Sequence, residues 1–93
     1  MYVNIAIHRP HQDKEKFPID SMHQYGELAK KQPGIVSVHT LKDENTGELV
    51  GLAIWNSKGS FLAARPALMK ATENDDFDAW EKEPIRGHRL SPV

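Results

Sequence analysis

Hydrophobic and polar residues alternate from Tyr2 to His8, with Val3, Ile5 and Ile7 on one side and Asn4, Ala6 and His8 on the other. That period of two predicts a strand. Arg9-Pro10-His11-Gln12-Asp13 ends it, because Pro10 has no N–H for a ladder. The period then changes. Ile19, Met22, Tyr25, Leu28 and Ala29 recur at three- and four-residue spacing, the apolar stripe of a helix. The helix is predicted from Lys14 or Phe17 to Gln32, with the start near Phe17, since Pro18 suits a first turn. Pro33-Gly34 closes it. A second strand follows from Ile35 to Leu41. Asp43-Glu44-Asn45-Thr46-Gly47 has turn chemistry, and a third strand runs from Glu48 to Trp55, so these two strands form a hairpin. In the third strand Val50, Leu52 and Ile54 face one way, and Leu49, Gly51, Ala53 and Trp55 the other.

Ser57 is an N-cap for a second helix carrying Phe61, Leu62, Ala63 and Ala64, which Pro66 restarts or kinks before Ala67 to Ala71. Glu73-Asn74-Asp75-Asp76 is a polar break, Phe77 to Trp80 one more helical turn, and Arg86 to Leu90 a short last strand. The order βαββαβ predicts an α+β, ferredoxin-like domain: an antiparallel four-stranded sheet with both helices on one face. The second face is expected to carry Ala6, Leu49, Ala53 and Trp55. The economical partner for it is another copy of the sheet, giving a dimeric α/β barrel.

Composition narrows the function. At 93 residues the chain is read as a single domain, 1–93. A net charge of −1 without a basic stripe argues against nucleic acid. The absence of Cys removes disulfides, thiolate nucleophiles and zinc-thiolate or iron–sulfur sites. The N-terminus has no signal-peptide pattern and no apolar run reaches membrane-spanning length, so a cytoplasmic protein without membrane contact is expected. No phosphate loop, dinucleotide fingerprint or Ser-His-Asp order is present. His8 with His11, His23 with Glu27, and the acidic run Glu73, Asp75, Asp76 and Asp78 lack metal-site spacing, and no metal is expected.

Gln32-Pro33-Gly34-Ile35, the Asp43-to-Gly47 turn and above all Ile54-Trp55-Asn56-Ser57-Lys58-Gly59-Ser60-Phe61 resemble the antibiotic biosynthesis monooxygenase superfamily of dimeric α/β barrels. The resemblance follows the element order over nearly the whole chain and is specific over about a third of it. It implies a homodimer and, for one branch, a cofactor-independent oxygenase that converts phenols or hydroquinones to quinones. Haem-degrading relatives use a Trp and a His where this chain has Ala63, Ala64, Arg65 and Ala71, Thr72, Glu73, so haem chemistry is not implied. The quinone-forming branch shares the strand-terminal Trp55, but it has an Asn and a Tyr where Gly51 and Phe61 stand.

Five histidines supply the candidate chemistry. If the apolar strand sides face the helices, Asn4, His8, Ser37, His39 and Trp55 line the barrel interior as polar groups in an apolar pocket. His39 or His8 then takes a proton from a phenolic hydroxyl, Asn4 hydrogen-bonds the oxygen, and Trp55 shapes the ring site. Phe61 and Trp80 complete the expected binding residues, Phe61 also anchoring its helix and Trp80 either anchoring the tail or capping the pocket. The function expected is a monooxygenase-like activity on a small aromatic or polyketide-like substrate, without a cofactor. The alternative is a non-catalytic dimeric module holding a small hydrophobic ligand.

Overall fold

The computed structural model describes residues 1–93. Its elements are β1 (Tyr2–His8), α1 (Lys16–Ala29), β2 (Ile35–Lys42), β3 (Leu49–Trp55), α2 (Lys58–Ala71), α3 (Phe77–Trp80) and β4 (Arg86–Leu90). The strands form one antiparallel sheet in the order β2-β3-β1-β4. This is the predicted α+β, ferredoxin-like arrangement.

Local chemistry explains the boundaries. Pro18 occupies the third position of α1, where its missing N–H costs nothing. A short 3-10 turn, Gln12–Lys14, precedes it. Ser57 caps α2 by accepting from the Ser60 N–H at 3.1 Å. Pro66 neither restarts nor breaks α2, which runs through it as one helix. Leu62 and Pro66 are both exposed, so water can serve the carbonyl that loses its donor.

The Pro33-Gly34 end of α1 is locked to the start of α2. Gly34 has φ +86°, and the Asn56 N–H donates to its carbonyl at 2.8 Å. The Ser60 hydroxyl donates to Asn56 Oδ1 at 2.7 Å. A Cβ on Gly34 would lie 2.2 Å from Ser60 Oγ and 2.7 Å from Asn56 Oδ1. The sequence stretch that carries the family resemblance is therefore a steric joint between two helix ends.

The face that meets the helices is the reverse of the one expected. Tyr2, Ala53 and Trp55 join Ala29 of α1 and Phe61, Ala64 and Leu68 of α2 in the core, with Trp55 fully buried. A Cβ on Gly51 would sit 3.4 Å from Met22 Cε, and one on Gly26 3.5 Å from Val38 Cγ1. So Gly51 and Val38 look at α1. The strand registers then put Asn4, Ala6, His8, Leu49, Ala53, Trp55 and Thr40 on the helix side. Val3, Ile5, Ile7, Val50, Leu52 and Ile54 lie on the far side, with Ser37 and His39 from β2. Bulk decides the matter. The helix side mixes large Tyr2, Leu49 and Trp55 with small Ala6, Gly51 and Ala53, which accommodates helices and leaves space between them. In the two central strands the far side is a layer of branched aliphatics, the kind of surface that packs on another sheet, flanked by Ser37 and His39 of β2 and by Arg86 and His88 of β4.

Candidate active site

The space left by the small residues is a cavity of about 230 Å³ between the sheet and α1. Ala6, Gly51 and Ala53 form its floor, and Ser21, Met22 and Tyr25 of α1 its roof. Phe77 and Ile85, from the segment after α2, close one end. Most of the lining surface is apolar, and its polar residues include His8 near α3, Asn4 and Tyr25 towards the other end, and His39 and Thr40 of β2.

At the α3 end, His8 Nδ1 is paired with Glu81 Oε1. Both side chains are buried, 6% and 3% exposed. Glu81 is brought there by the chain crossing back over β1: Pro10 bridges Glu81, His11 N–H donates to the Trp80 carbonyl at 2.9 Å, and Lys82 N–H donates to the Arg9 carbonyl at 2.8 Å. A carboxylate only accepts, so Nδ1 donates to Glu81 and Nε2 is the ring nitrogen left for another partner. Glu81 Oε2 is the one buried side-chain polar atom without a partner. His8 Nε2 makes no hydrogen bond, and His8 lines the cavity. The Phe77 ring, 5.8 Å from the imidazole centroid, packs beside it.

At the other end, Trp55 Nε1–H donates to Asn4 Oδ1 at 2.8 Å. The indole nitrogen is a donor only, which fixes the amide orientation and turns the Asn4 NH2 away from the indole. Burial raises the Tyr25 phenol above its ordinary value, and a hydrogen bond with the Asn4 side chain offsets part of that rise. Tyr25 is therefore a neutral donor at physiological pH. The native state holds this proton more tightly than the unfolded chain, so its stability falls as pH rises above about 10 towards the native value. Tyr25→Phe lacks the group. In urea unfolding between about pH 9 and 11 the wild type is expected to lose stability more steeply than this variant.

The sequence-predicted residues divide between the two faces. Asn4 and His8 line the cavity from β1. Trp55 supports Asn4 from behind as part of the core. Phe61 packs on Trp55 and Tyr2 at centroid distances of 5.8 and 5.5 Å and borders a neighbouring cleft rather than this cavity. Ser37 does not join the group, whereas His39 borders the cavity at β2. His39 pairs with Leu52, so strand alternation turns its side chain to the far face, where it is exposed. The cavity thus lies between sheet and helices, and the expected barrel interior is not its location. Trp80 stacks on Phe17 at 5.4 Å and meets Phe77 edge-on at 5.5 Å. It props Phe77 and does not line the cavity.

Sequence reasoning missed Tyr25, which counted only as part of the α1 stripe, and Phe77 and Glu81. In the acidic run Glu73, Asp76 and Asp78 are exposed and Asp75 is half-buried. Ser21 Oγ donates to Asp75 Oδ2 at 2.5 Å, and Asp76 caps α3 through the Ala79 N–H. No group of three or more His, Asp or Glu side chains converges as a metal site requires.

No protein-family model matches the sequence, and no curated protein does. Solved structures match it closely in shape. Rv0793 from Mycobacterium tuberculosis superposes with a TM-score of 0.84 at 17% identity, covering 99% of this chain and 94% of that one. SnoaB from Streptomyces nogalater, described as a cofactor-independent oxygenase, gives 0.75 at 15% identity over 99% and 92% of the two chains. A structure described as an antibiotic biosynthesis monooxygenase gives 0.78 at 12% identity over 100% and 99%. The chain therefore has the ferredoxin-like fold of the antibiotic biosynthesis monooxygenases, in agreement with the resemblance carried by the Trp55-to-Phe61 stretch. No helix is long and apolar enough to cross a membrane.

Proposed function

We propose that this protein is a cofactor-independent oxygenase that converts a small phenolic ring to a quinone inside the helix–sheet cavity. The observation that carries this is the buried His8–Glu81 pair, with Nε2 free at one end of an apolar cavity and the amide of Asn4 and the phenol of Tyr25 at the other. The volume suits one aromatic ring, since a cavity of about 150 Å³ admits benzene. His8 Nε2 takes the phenolic proton, and Glu81 holds the imidazolium that forms. The phenolate gives an electron to O2, and the resulting radical pair joins at the ring carbon para to the oxygen. His8 and Asn4 stand four residues apart on β1, about 13 Å of strand, so a ring bound between them directs that carbon towards the Asn4 and Tyr25 donors. The O–O bond of the peroxide then breaks. One oxygen atom stays as the second carbonyl, and the other leaves as water with the phenolic and ring hydrogens. The test is oxygen uptake by metal-free protein against a panel of phenols and hydroquinones, with one O2 consumed per quinone formed. Absence of uptake across the panel would favour a ligand-binding module without catalysis.

The far face of the sheet belongs to the same proposal. Val3, Ile5, Ile7, Val50, Leu52 and Ile54 form one apolar layer on the two central strands, continued by Leu41 and Leu90 and rimmed by Ser37 and His39 of β2 and Arg86 and His88 of β4. A layer of that kind on a small chain is a site of association, and a second copy of the same face covers it and gives the dimeric barrel. Leu52, at the centre, is the place to test this. Leu52→Lys buries an unpaired charge in such an interface. It is expected to convert a dimer into a monomer by light scattering, whereas a wild-type monomer at all concentrations would remove the barrel.

A further inference from the structure

The inner cavity continues under β4 into a second, more open cleft of about 610 Å³, and Asn4, Ala6, Tyr25 and Thr72 line both. The sheet edge creates it. On the helix side of β4, Gly87 pairs with Ala6 and offers no side chain, and the next residue on that side is Arg89, level with Asn4. The Arg89 guanidinium carbon lies 5.3 Å from the centroid of the Phe61 ring. Arg65 of α2 lines the same cleft. Elsewhere arginines are matched by acids: Arg9 and Arg86 share Glu48, and Arg9 also meets Glu83. Arg65 and Arg89 have no such partner, and no Asp or Glu lines the cleft. In a chain of net charge −1 this is a local cationic site joined to an apolar cavity.

We propose that this cleft binds the carboxylate of an aromatic acid whose hydroxylated ring enters the inner cavity. The inference rests on the oxygenase reading and narrows its substrate class from phenols in general to hydroxylated aromatic acids. A guanidinium fork matches a carboxylate in shape and charge, and the Phe61 ring beneath Arg89 pre-orients that fork. Spacing sets the size of the ligand. Arg89 is level with Asn4, and His8 lies four residues further along β1, about 13 Å. The acid group and the reacting hydroxyl therefore belong at opposite ends of a molecule longer than a single ring.

The test is binding of a hydroxynaphthoic acid, its methyl ester and the parent naphthol, measured by calorimetry without oxygen so that turnover plays no part. Wild type is expected to bind the acid about tenfold or more tighter than the ester, and only the acid should weaken as salt is raised. In the Arg65→Gln/Arg89→Met double variant the acid should fall to the affinity of the ester, which itself stays within about twofold of its wild-type value. Met at position 89 keeps an apolar stem against Phe61. Should the variant fail to fold, the wild-type comparison of acid with ester, with its salt dependence, still decides. Equal affinity for acid and ester, acid binding indifferent to the two substitutions, or no binding of the acid would overturn the proposal. Arginine-dependent binding of an acid that then consumes no oxygen would uphold it and remove the oxygenase reading instead.

Discussion

His8→Gln is expected to lower oxygen uptake by about 100-fold or more, the contribution of a positioned general base. Glutamine is the informative replacement. Its amide can still donate to Glu81, so the carboxylate is not left as an unpaired buried charge, which would cost about 3–5 kcal/mol. The variant should therefore melt within a few degrees of wild type while losing activity, which separates loss of the base from loss of the fold. Uptake that survives His8→Gln would take the proton-accepting role away from this end of the cavity. Glu81→Gln refines the outcome. It keeps a hydrogen-bonding group beside Nδ1 but removes the charge that stabilises the imidazolium, so a smaller loss with an altered pH profile is expected. An unchanged profile would reduce Glu81 to a packing residue.

Gly34→Ala is expected to destabilise the protein by about 3 kcal/mol or more. Two costs combine there: a positive φ that L residues rarely adopt, and a Cβ forced against Ser60 and Asn56. For a chain of this size each kcal/mol lowers the melting temperature by about 4–8 °C, so a fall of about 12–24 °C should be seen by circular dichroism. Gly47→Ala provides the internal control. Gly47 also has a positive φ, 78°, but nothing lies within 4 Å of the position its Cβ would take. It should lose only the backbone part, about 1–2 kcal/mol. Similar melting temperatures for the two variants would show that the joint between the helix ends yields easily.

The elements were legible in the sequence because each is set by neighbours. The alternation of Val3 to Ile7, the stripe from Ile19 to Ala29, Ser57 as a cap and Pro33-Gly34 as a stop are all local signals, and all reappear in the structure. The choice of face was not legible. Both sides of β3 are apolar, and periodicity does not say whether Trp55 or Ile54 meets the helices. That single inversion put the expected pocket on the other side of the sheet from the cavity and carried Ser37 with it, while His39 still borders the cavity although strand parity turns its side chain away. Asn4 and His8 remained at the cavity because strand parity groups them correctly whichever face is chosen. Glu81 was out of reach for another reason. It meets His8 across 73 positions of sequence, through a crossing at Pro10 that no local pattern announces.

The position of β1 between β3 and β4 has a consequence for how the chain acquires its structure. The strand made first is a central one, and one of its two partners is the strand made last. Closing so long a loop is slow compared with forming helices or the β2–β3 hairpin. During synthesis, residues 2–8 must therefore wait with one backbone edge unpaired until residues 86–90 have left the ribosome. Over that interval their alternating aliphatic side chains are open to the wrong partner. Folding of this sheet is expected to form the hairpin early and to close the β1–β4 edge last.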